Sequence, residues 1–164
     1  MATIETGHTD VIHDAQLDYY AKQLATASSD HSIRIFINNV LSATLKDHTA
    51  PVWTLSWAHP THSGLLASGA YDGTVCIWHP SNWSCIYKHK FHSQSVNSIQ
   101  WGPLDAGCVL ACASSDGTVS LLVGSVEGTW SSSSFNAHQV FLFNLGWCQR
   151  RCLVKFKEIG YRWM

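Results

Sequence analysis

The stretch LASGAYDGTVCIW (residues 66–78) contains a serine, an aspartate and a tryptophan, and His48 lies 24 positions before its aspartate, Asp72. Serine, histidine and aspartate are the side chains of a hydrolase triad, in which the histidine takes a proton from the serine. The same side chains also form buried hydrogen-bond networks that support a fold. The rest of the chain decides between these two interpretations.

The stretch belongs to a pattern that occurs three times. ATASSDHSIRIF (residues 25–36) and ACASSDGTVSLL (residues 111–122) align with ASGAYDGTVCIW (residues 67–78). Successive aspartates are 42 and 44 residues apart, and each follows a histidine by 22 or 24 residues. The histidine–aspartate pairs are His8 with Asp30, His48 with Asp72, and His92 with Asp116. Such a period with fixed offsets indicates a repeat architecture.

Each repeat predicts four short strands. VWTLSW (52–57) and VNSIQW (96–101) alternate apolar and polar residues, while LLASGA (65–70) and VLACAS (109–114) are short buried runs. The DGTV segments predict tight turns, because aspartate hydrogen-bonds the turn backbone and glycine accepts a positive φ. A weaker last strand is predicted in each repeat, at Leu41–Lys46, Ser84–Lys88 and Trp130–Phe135.

The tryptophans divide into two groups. Those inside the repeat strands are expected in the core: Trp53, Trp57, Trp78 and Trp101. Those in turns or outer strands are better candidates for surface contacts: Trp83 and Trp130.

The composition limits the function. The chain has 164 residues, of which 13% are charged, and its net charge is −1. This predicts large neutral surfaces that contact proteins, without attraction to nucleic acid. The sequence starts without a secretory signal and has no apolar run that could span a bilayer. We therefore expect an intracellular protein that meets membranes only through partners. The six cysteines are expected to be reduced, and no metal or other cofactor is expected.

Charge divides the chain near residue 140. Residues 1–139 carry five Lys or Arg and ten Asp or Glu, whereas residues 140–164 carry five and one. We therefore expect three repeats, at about 8–46, 47–90 and 91–137, and then a divergent basic tail with one further strand. Because repeats bury their faces against one another, a chain with three of them is expected to be marginally stable alone.

Four antiparallel strands in a unit of 40–45 residues are typical of the WD repeat, one blade of a β-propeller. We therefore predict an all-β fold, a partial WD-repeat β-propeller of three four-stranded antiparallel blades with an irregular C-terminal tail.

In that family a histidine, a serine, an aspartate and a tryptophan form a structural tetrad, in which the aspartate accepts a hydrogen bond from the histidine. The residues that resemble it are His48, Ser68, Asp72 and Trp78 in the middle repeat, His8, Thr26 and Asp30 in the first, and His92, Cys112 and Asp116 in the third. Phe36 and Leu122 stand where the tryptophan is expected. Ser68 also lacks the G-x-S-x-G turn that exposes a catalytic serine, so a structural role is favoured.

A closer resemblance covers about residues 8–138. HTDVIHDAQLDYYAKQLATASSDHSIRIF (8–36) resembles the first blade of the Sec thirteen family. HTAPVWTLSWAHPTHSGLLASGAYDGTVCIW (48–78) resembles its second, and HSQSVNSIQWGPLDAGCVLACASSDGTVSLL (92–122) its third. The resemblance implies a non-enzymatic scaffold of the COPII outer coat, in ER-to-Golgi vesicle transport, and of the nuclear pore.

The resemblance also implies how partners bind. Members form an open propeller to which a partner adds a blade: the rod subunit of the outer coat, or a scaffold nucleoporin of the pore. A related use is in the amino-acid-sensing complex at the lysosomal surface. The implied locations are the cytoplasm, ER exit sites and COPII vesicles, the nuclear pore and the lysosomal surface. Addition of a strand to an exposed sheet edge would make the contact. The edge expected here contains Ile4, Val11, Ile12, Ala15 and Leu17.

Other functions remain open. A generic WD-repeat adaptor would recruit peptides through basic or aromatic residues on the top face of the propeller. A hydrolase would use the serine, histidine and aspartate chemically. A truncated form would be without function or would compete with a full-length relative. Self-association through blade faces left open is also expected.

Overall fold

The computed structural model describes residues 3–125 and 127–137, which form three four-stranded antiparallel sheets. The first sheet contains β1 (Ile12–Leu17), β2 (Gln23–Ser28), β3 (Ile33–Ile37) and β4 (Val40–Leu45). The second contains β5 (Val52–Trp57), β6 (Leu66–Ala70), β7 (Thr74–His79) and β8 (Ser84–Lys90). The third contains β9 (Val96–Trp101), β10 (Val109–Ser114), β11 (Thr118–Gly124) and β12 (Trp130–Asn136). Every strand within a sheet pairs with the next one along the chain, so the predicted all-β class with three four-stranded blades is confirmed.

The turn between the second and third strands of each sheet depends on one aspartate. The Oδ1 atoms of Asp30, Asp72 and Asp116 accept the backbone N–H two residues later, at 2.9, 3.1 and 2.9 Å. In the second sheet the turn continues through Gly73 at a φ of 78°. A Cβ atom on Gly73 would overlap the carbonyl oxygen of His92, so this turn requires glycine both for its backbone angle and for its close approach to the third sheet.

The first strand of each sheet carries a β-bulge at the same place. The ladder skips one residue there, which is His13 in β1, Trp53 in β5 and Asn97 in β9. A bulge re-aims the side chain of the extra residue. The expectation that Trp53 lies in the core is therefore wrong, since 39% of it is exposed. Trp78 and Trp101 are not bulged residues of a first strand, and they are buried as predicted.

Two apolar cores lie between neighbouring sheets. The first core joins the first and second sheets and contains Ala25, Ala27, Ile33, Ile35, Leu45, Val52, Leu55, Leu66, Cys76 and Trp78. The second core joins the second and third sheets and contains Ala58, Leu65, Ala67, Val75, Ile77, Val96, Ile99, Trp101, Leu110, Cys112 and Leu122. Alternate residues of β7 point to opposite sides, so Cys76 and Trp78 enter the first core while Val75 and Ile77 enter the second. Three half-buried tryptophans pack at the margins: Trp57, Trp83 and Trp130.

Helical structure in the described part of the chain consists of two short 3-10 turns, Pro60–His62 and Leu104–Ala106. No helix among these residues has the length and apolar character needed to cross a membrane. The extra strand and basic tail predicted at residues 140–164 lie outside the described residues, so the boundary near residue 140 stays a prediction.

Candidate functional site

The middle repeat brings a histidine, a serine and a tryptophan into one buried network. His48 Nε2 lies 2.7 Å from Ser68 Oγ, and the indole N–H of Trp78 donates to the same oxygen at 2.8 Å. The three residues are 5%, 0% and 1% exposed. Ser68 lies in β6, Trp78 in β7, and His48 in the loop before β5, so the network ties two strands to that loop. Each bond matters, because an unpartnered buried polar group costs about 1–3 kcal/mol.

Asp72 does not hydrogen-bond His48, in contrast to what the family resemblance implies. Asp72 accepts from the Thr49 hydroxyl at 3.0 Å and from the backbone N–H of Thr74 at 3.1 Å. In the other two repeats the second oxygen of the aspartate accepts a backbone N–H from the residue after the histidine, and the histidine lies beside it. In the middle repeat, the corresponding oxygen of Asp72, Oδ2, accepts a hydrogen bond from the Thr49 hydroxyl instead. His48 Nδ1 is buried and has no hydrogen-bond partner among the described residues.

The first repeat has the complete link from aspartate through histidine to a hydroxyl. His8 Nδ1 lies 2.8 Å from Asp30 Oδ2, and His8 Nε2 lies 2.8 Å from Thr26 Oγ1. Because a carboxylate only accepts, Nδ1 donates to Asp30. Phe36, at the position of the expected tryptophan, is 2% exposed, so it fills the site without an indole N–H.

In the third repeat the histidine binds a different hydroxyl from the one expected. His92 Nε2 lies 2.8 Å from Ser120 Oγ, and its Nδ1 lies 3.3 Å from Asp116 and 3.0 Å from the Thr118 hydroxyl. Cys112 is therefore not the partner of His92, and the prediction that it takes the serine position of the network is wrong. A thiol is a weak donor and acceptor, so the hydroxyl of Ser120 makes the better bond.

The serine and the cysteine have exchanged places between the second and third sheets. Ser68 in β6 pairs with Cys76 in β7, whereas Cys112 in β10 pairs with Ser120 in β11. Directly opposite residues of an antiparallel pair point to the same side, so the hydroxyl reaches the histidine from either strand. The sequence carries the signal, because a serine stands four residues after the third aspartate, where the middle repeat has its cysteine.

Burial sets the charge of these groups. It lowers the pKa of His48 to about 4, outweighing the nearby charge of Asp72, which raises it. It also lowers the pKa of His92, although Asp116 acts in the opposite direction. Burial alone would raise the pKa of Asp116, but hydrogen bonds, first from Thr118, bring it down to about 2. At neutral pH each of these histidines is neutral and Asp116 is charged.

Asp116, His92 and Ser120 have the hydrogen-bond order of a hydrolase triad, but the serine has no access to a substrate. Ser120 is fully buried. The cavity beside it is lined by His89, Phe91, Ser120, Ser132, Ser133 and Ser134. Its volume is about 80 Å³, below the roughly 300–1,000 Å³ of small-molecule sites. No cluster of three or more His, Cys, Asp or Glu that could hold a metal ion occurs among the described residues.

The predicted partner edge is only partly open. β1 lies at one end of its sheet and pairs with β2 alone. Val11, Ile12 and Leu17 are 60%, 39% and 57% exposed, Ala15 is also exposed, and Ile4 is half-buried. These residues make an exposed apolar strip along β1 and the loop before it.

The second sheet already uses two polar groups of β1. The Asp14 carboxylate accepts the backbone N–H of Leu55 at 2.7 Å, and the Gln16 carbonyl accepts the indole N–H of Trp57 at 2.9 Å. Sequence reasoning missed both contacts, which fix the first sheet against the second. One backbone group of this edge, the Gln16 carbonyl, is therefore already occupied by the second sheet.

Bulged residues form a second exposed feature. His13 and Trp53 stack with ring centroids 5.0 Å apart, and Trp53 stacks on Tyr71 at 6.0 Å. Tyr71 is 59% exposed and His13 is exposed as well. The rings come from two sheets, so this aromatic ladder crosses the boundary between them.

Comparison with known proteins gives the family. The model of the WD domain, G-beta repeat, matches residues 1–36, 39–79 and 83–121, which is more than half of the chain. Protein transport protein SEC13 of Cryptococcus neoformans is 46% identical over 165 residues, covering 88% of this chain and 49% of the relative. The protein SEC13 homolog of Drosophila melanogaster is 45% identical over 153 residues, covering 88% and 43%. Protein transport protein SEC13 of Mycosarcoma maydis is 41% identical over 175 residues, covering 88% and 48%. The chain thus spans about half the length of the curated relatives it matches.

Proposed function

The chain belongs to the WD-repeat family, and on that premise we propose that it is a non-enzymatic scaffold subunit that acts in protein transport by binding other protein chains. The similarity to relatives named as protein transport proteins supports a role in protein transport. The burial of the histidine networks supports a structural role for the residues that resemble a triad. Function in such folds comes from surfaces added to the scaffold.

The observation that carries the proposal is the apolar strip of β1. Val11, Ile12 and Leu17 are exposed at the end of the row of described sheets, where the first sheet has no described neighbour on its other side. Exposed apolar residues at a sheet edge favour contact with another protein. The low share of charged residues over the whole chain, 13%, points the same way.

The partners in this proposal are those of the resembling family. They are the rod subunit of the COPII outer coat, a scaffold nucleoporin of the nuclear pore, and the amino-acid-sensing complex at the lysosome. The protein would then work on the cytoplasmic side of ER exit sites and vesicles and at the nuclear envelope. It would reach membranes through these partners and not by direct insertion.

A binding measurement with a matched pair of variants tests the proposal. The probe is the purified blade-donating segment of the coat's rod subunit. Val11→Asp should weaken binding at least about tenfold, because a carboxylate would be buried without a partner. Val40→Asp should leave binding unchanged, since Val40 is equally exposed at 67% but lies on β4. Amide hydrogen exchange of residues 4–17 should also slow when the segment binds.

The same binding measurement distinguishes this proposal from an alternative function, that of a generic WD-repeat adaptor. The exposed ladder of His13, Trp53 and Tyr71 favours that alternative, because stacked aromatic rings are common at peptide contacts. Binding that Trp53→Ala abolishes and Val11→Asp leaves intact would replace the coat proposal with the adaptor. Absence of binding by the unmodified chain, with the sheets intact by circular dichroism, would remove the coat proposal altogether.

A further inference from the structure

The outermost strands of the three sheets differ in how well their edges are protected. Natural edge strands avoid pairing with other chains through charged side chains, proline and bulges. β8 carries Lys88 and Lys90, both exposed, and the ladder between β7 and β8 shifts register between Ile77 and Trp78. The ladder between β3 and β4 shifts register between Ile35 and Phe36. β12 (WSSSSFN) has no charge and no proline, and it pairs with β11 over seven consecutive positions without a break.

The hydrogen bonds at both ends of the β11–β12 hairpin show which groups of β12 face outward. The N–H of Ala137 donates to the Gly117 carbonyl at 3.1 Å, and the N–H of Ser125 donates to the Thr129 carbonyl at 2.8 Å. Antiparallel ladders alternate, so the odd-numbered residues of β12 bond to β11. The even-numbered residues direct their N–H and C=O groups away from it: Trp130, Ser132, Ser134 and Asn136.

From these features we infer that β12 pairs with β12 of a second copy of this chain, so that two four-stranded sheets join into one continuous sheet. A two-fold axis through Ser133, perpendicular to the sheet, sets Ser132 opposite Ser134 of the second copy. It also sets Trp130 opposite Asn136 of the second copy. All seven residues of each strand are then paired, and the outward groups of the two strands meet in roughly eight hydrogen bonds.

A second copy is the occupant that matches this edge chemically. The centre of the strand is Ser131–Ser134, whose side chains are exposed and uncharged. Serines directly opposite serines can hydrogen-bond across the strands, and no like charges meet. β8 instead carries Lys88 and Lys90, whose charges disfavour pairing with another copy. A two-fold contact of this kind uses the same patch on both copies and closes at two chains.

The test measures the mass of the full chain in solution against its concentration by sedimentation equilibrium. The unmodified chain should move from one copy of 18.2 kDa to twice that mass as concentration rises. Ser133→Lys should weaken this dimer by about fivefold or more, because two lysines then face each other where opposite side chains lie closest. Ser133→Glu should do the same. An equimolar mixture of the two variants should dimerise again, because each lysine then faces a glutamate.

A backbone variant tests the hydrogen bonds directly. Ser134→Pro removes an outward N–H and costs no bond to β11, since proline is tolerated where the N–H of an edge strand faces solvent. It should weaken the dimer by more than tenfold, whereas Ser134→Ala, which keeps the N–H, should not. Circular dichroism checks that each variant keeps its sheets.

Several outcomes would overturn the inference. They are a monomer at every concentration, a dimer that neither Ser133→Lys nor Ser134→Pro weakens, a mixture of charge variants that does not recover, or assemblies larger than two chains. A dimer formed in this way leaves β1 free, so failure here is separate from failure of the proposed partner binding.

Discussion

At the scale of single residues, Ser120 shows that a buried hydroxyl can change strands and keep its hydrogen-bond partner. The histidine of the third repeat binds Ser120 on β11, and the histidine of the second binds Ser68 on β6. The two positions are equivalent because directly opposite residues of an antiparallel pair point to the same side, and each serine lies opposite a cysteine, Cys112 or Cys76. Aligning the repeats placed His8 beside Asp30 and His92 beside Asp116, as the structure has them. It also predicted a hydrogen bond between Asp72 and His48 that the structure lacks. It missed Ser120 because alignment compares positions within one strand and not across a pair of strands.

Exchanging the two residues of the third repeat tests this equivalence. Ser120→Cys should lower the free energy of unfolding by about 1–2 kcal/mol, because His92 Nε2 loses its hydroxyl partner. Adding Cys112→Ser should recover most of that loss, since the hydroxyl returns on the strand that the second repeat uses. Unfolding in urea measures both, and Ser42→Cys, at an exposed serine of β4, is the control with an expected change below about 0.5 kcal/mol. A double variant less stable than the single one would contradict the equivalence.

His48 predicts how stability depends on pH. Its pKa in the folded protein is about 4, below the ordinary value of 6.5. Between these values the unfolded chain binds the proton and the folded chain does not, so the free energy of unfolding falls as the pH falls. The full effect is about 3 kcal/mol, and the corresponding stability is present above pH 6.5 and lost by pH 4.

Urea unfolding at several pH values checks this. His48→Gln should reduce the dependence between pH 6.5 and 4, leaving the contributions of His89 and His92, whose pKa values burial also lowers. Ser42→Gln, which introduces the same amide at an exposed residue of β4, should not change it, because no titratable group is removed. An unchanged slope in His48→Gln would show that His48 is not the group that titrates.

At the scale of strands, the sequence pattern predicted the elements closely. The last strand of the third sheet was expected at Trp130–Phe135 and is Trp130–Asn136, and that of the second was expected at Ser84–Lys88 and is Ser84–Lys90. The bulges were not predicted, because a skipped residue depends on the neighbouring strand and leaves the spacing of apolar residues almost unchanged. This is why the exposure of Trp53 was missed. The contacts of Asp14 and Gln16 were missed because they depend on how two sheets pack.

At the scale of the whole molecule, stability depends on neighbouring sheets. The first sheet contributes to the first core only, the third to the second core only, and the second to both. In repeat arrays the stability of one unit comes from its own contacts and from those with its nearest neighbours. The middle sheet therefore has two stabilising interfaces among the described residues, and each outer sheet has one.

Amide hydrogen exchange of the unmodified chain tests this arrangement. Amides of β6 and β7 should exchange most slowly, because opening them disrupts both cores. Amides of β2 and β3, and of β10 and β11, should exchange faster, because each outer sheet can open while the other two remain packed. Equal protection in all three sheets would show that they open together as one cooperative unit.

The two buried cysteines that lie opposite Ser68 and Ser120 can be used to detect when the packed sheets separate. Cys76 in the second sheet and Cys112 in the third are fully buried, and burial raises the pKa of Cys112 to about 12. A thiol-modifying reagent attacks the thiolate and needs access, so Cys76 reacts only while the first core is open and Cys112 only while the second core is open. Cys85 is half-buried, and the hydrogen bond from Cys76 lowers its pKa to about 7, so it reacts in the closed protein and calibrates the reagent. The labelling rates of Cys76 and Cys112 thus measure how often each of the two cores opens, in the unsubstituted chain.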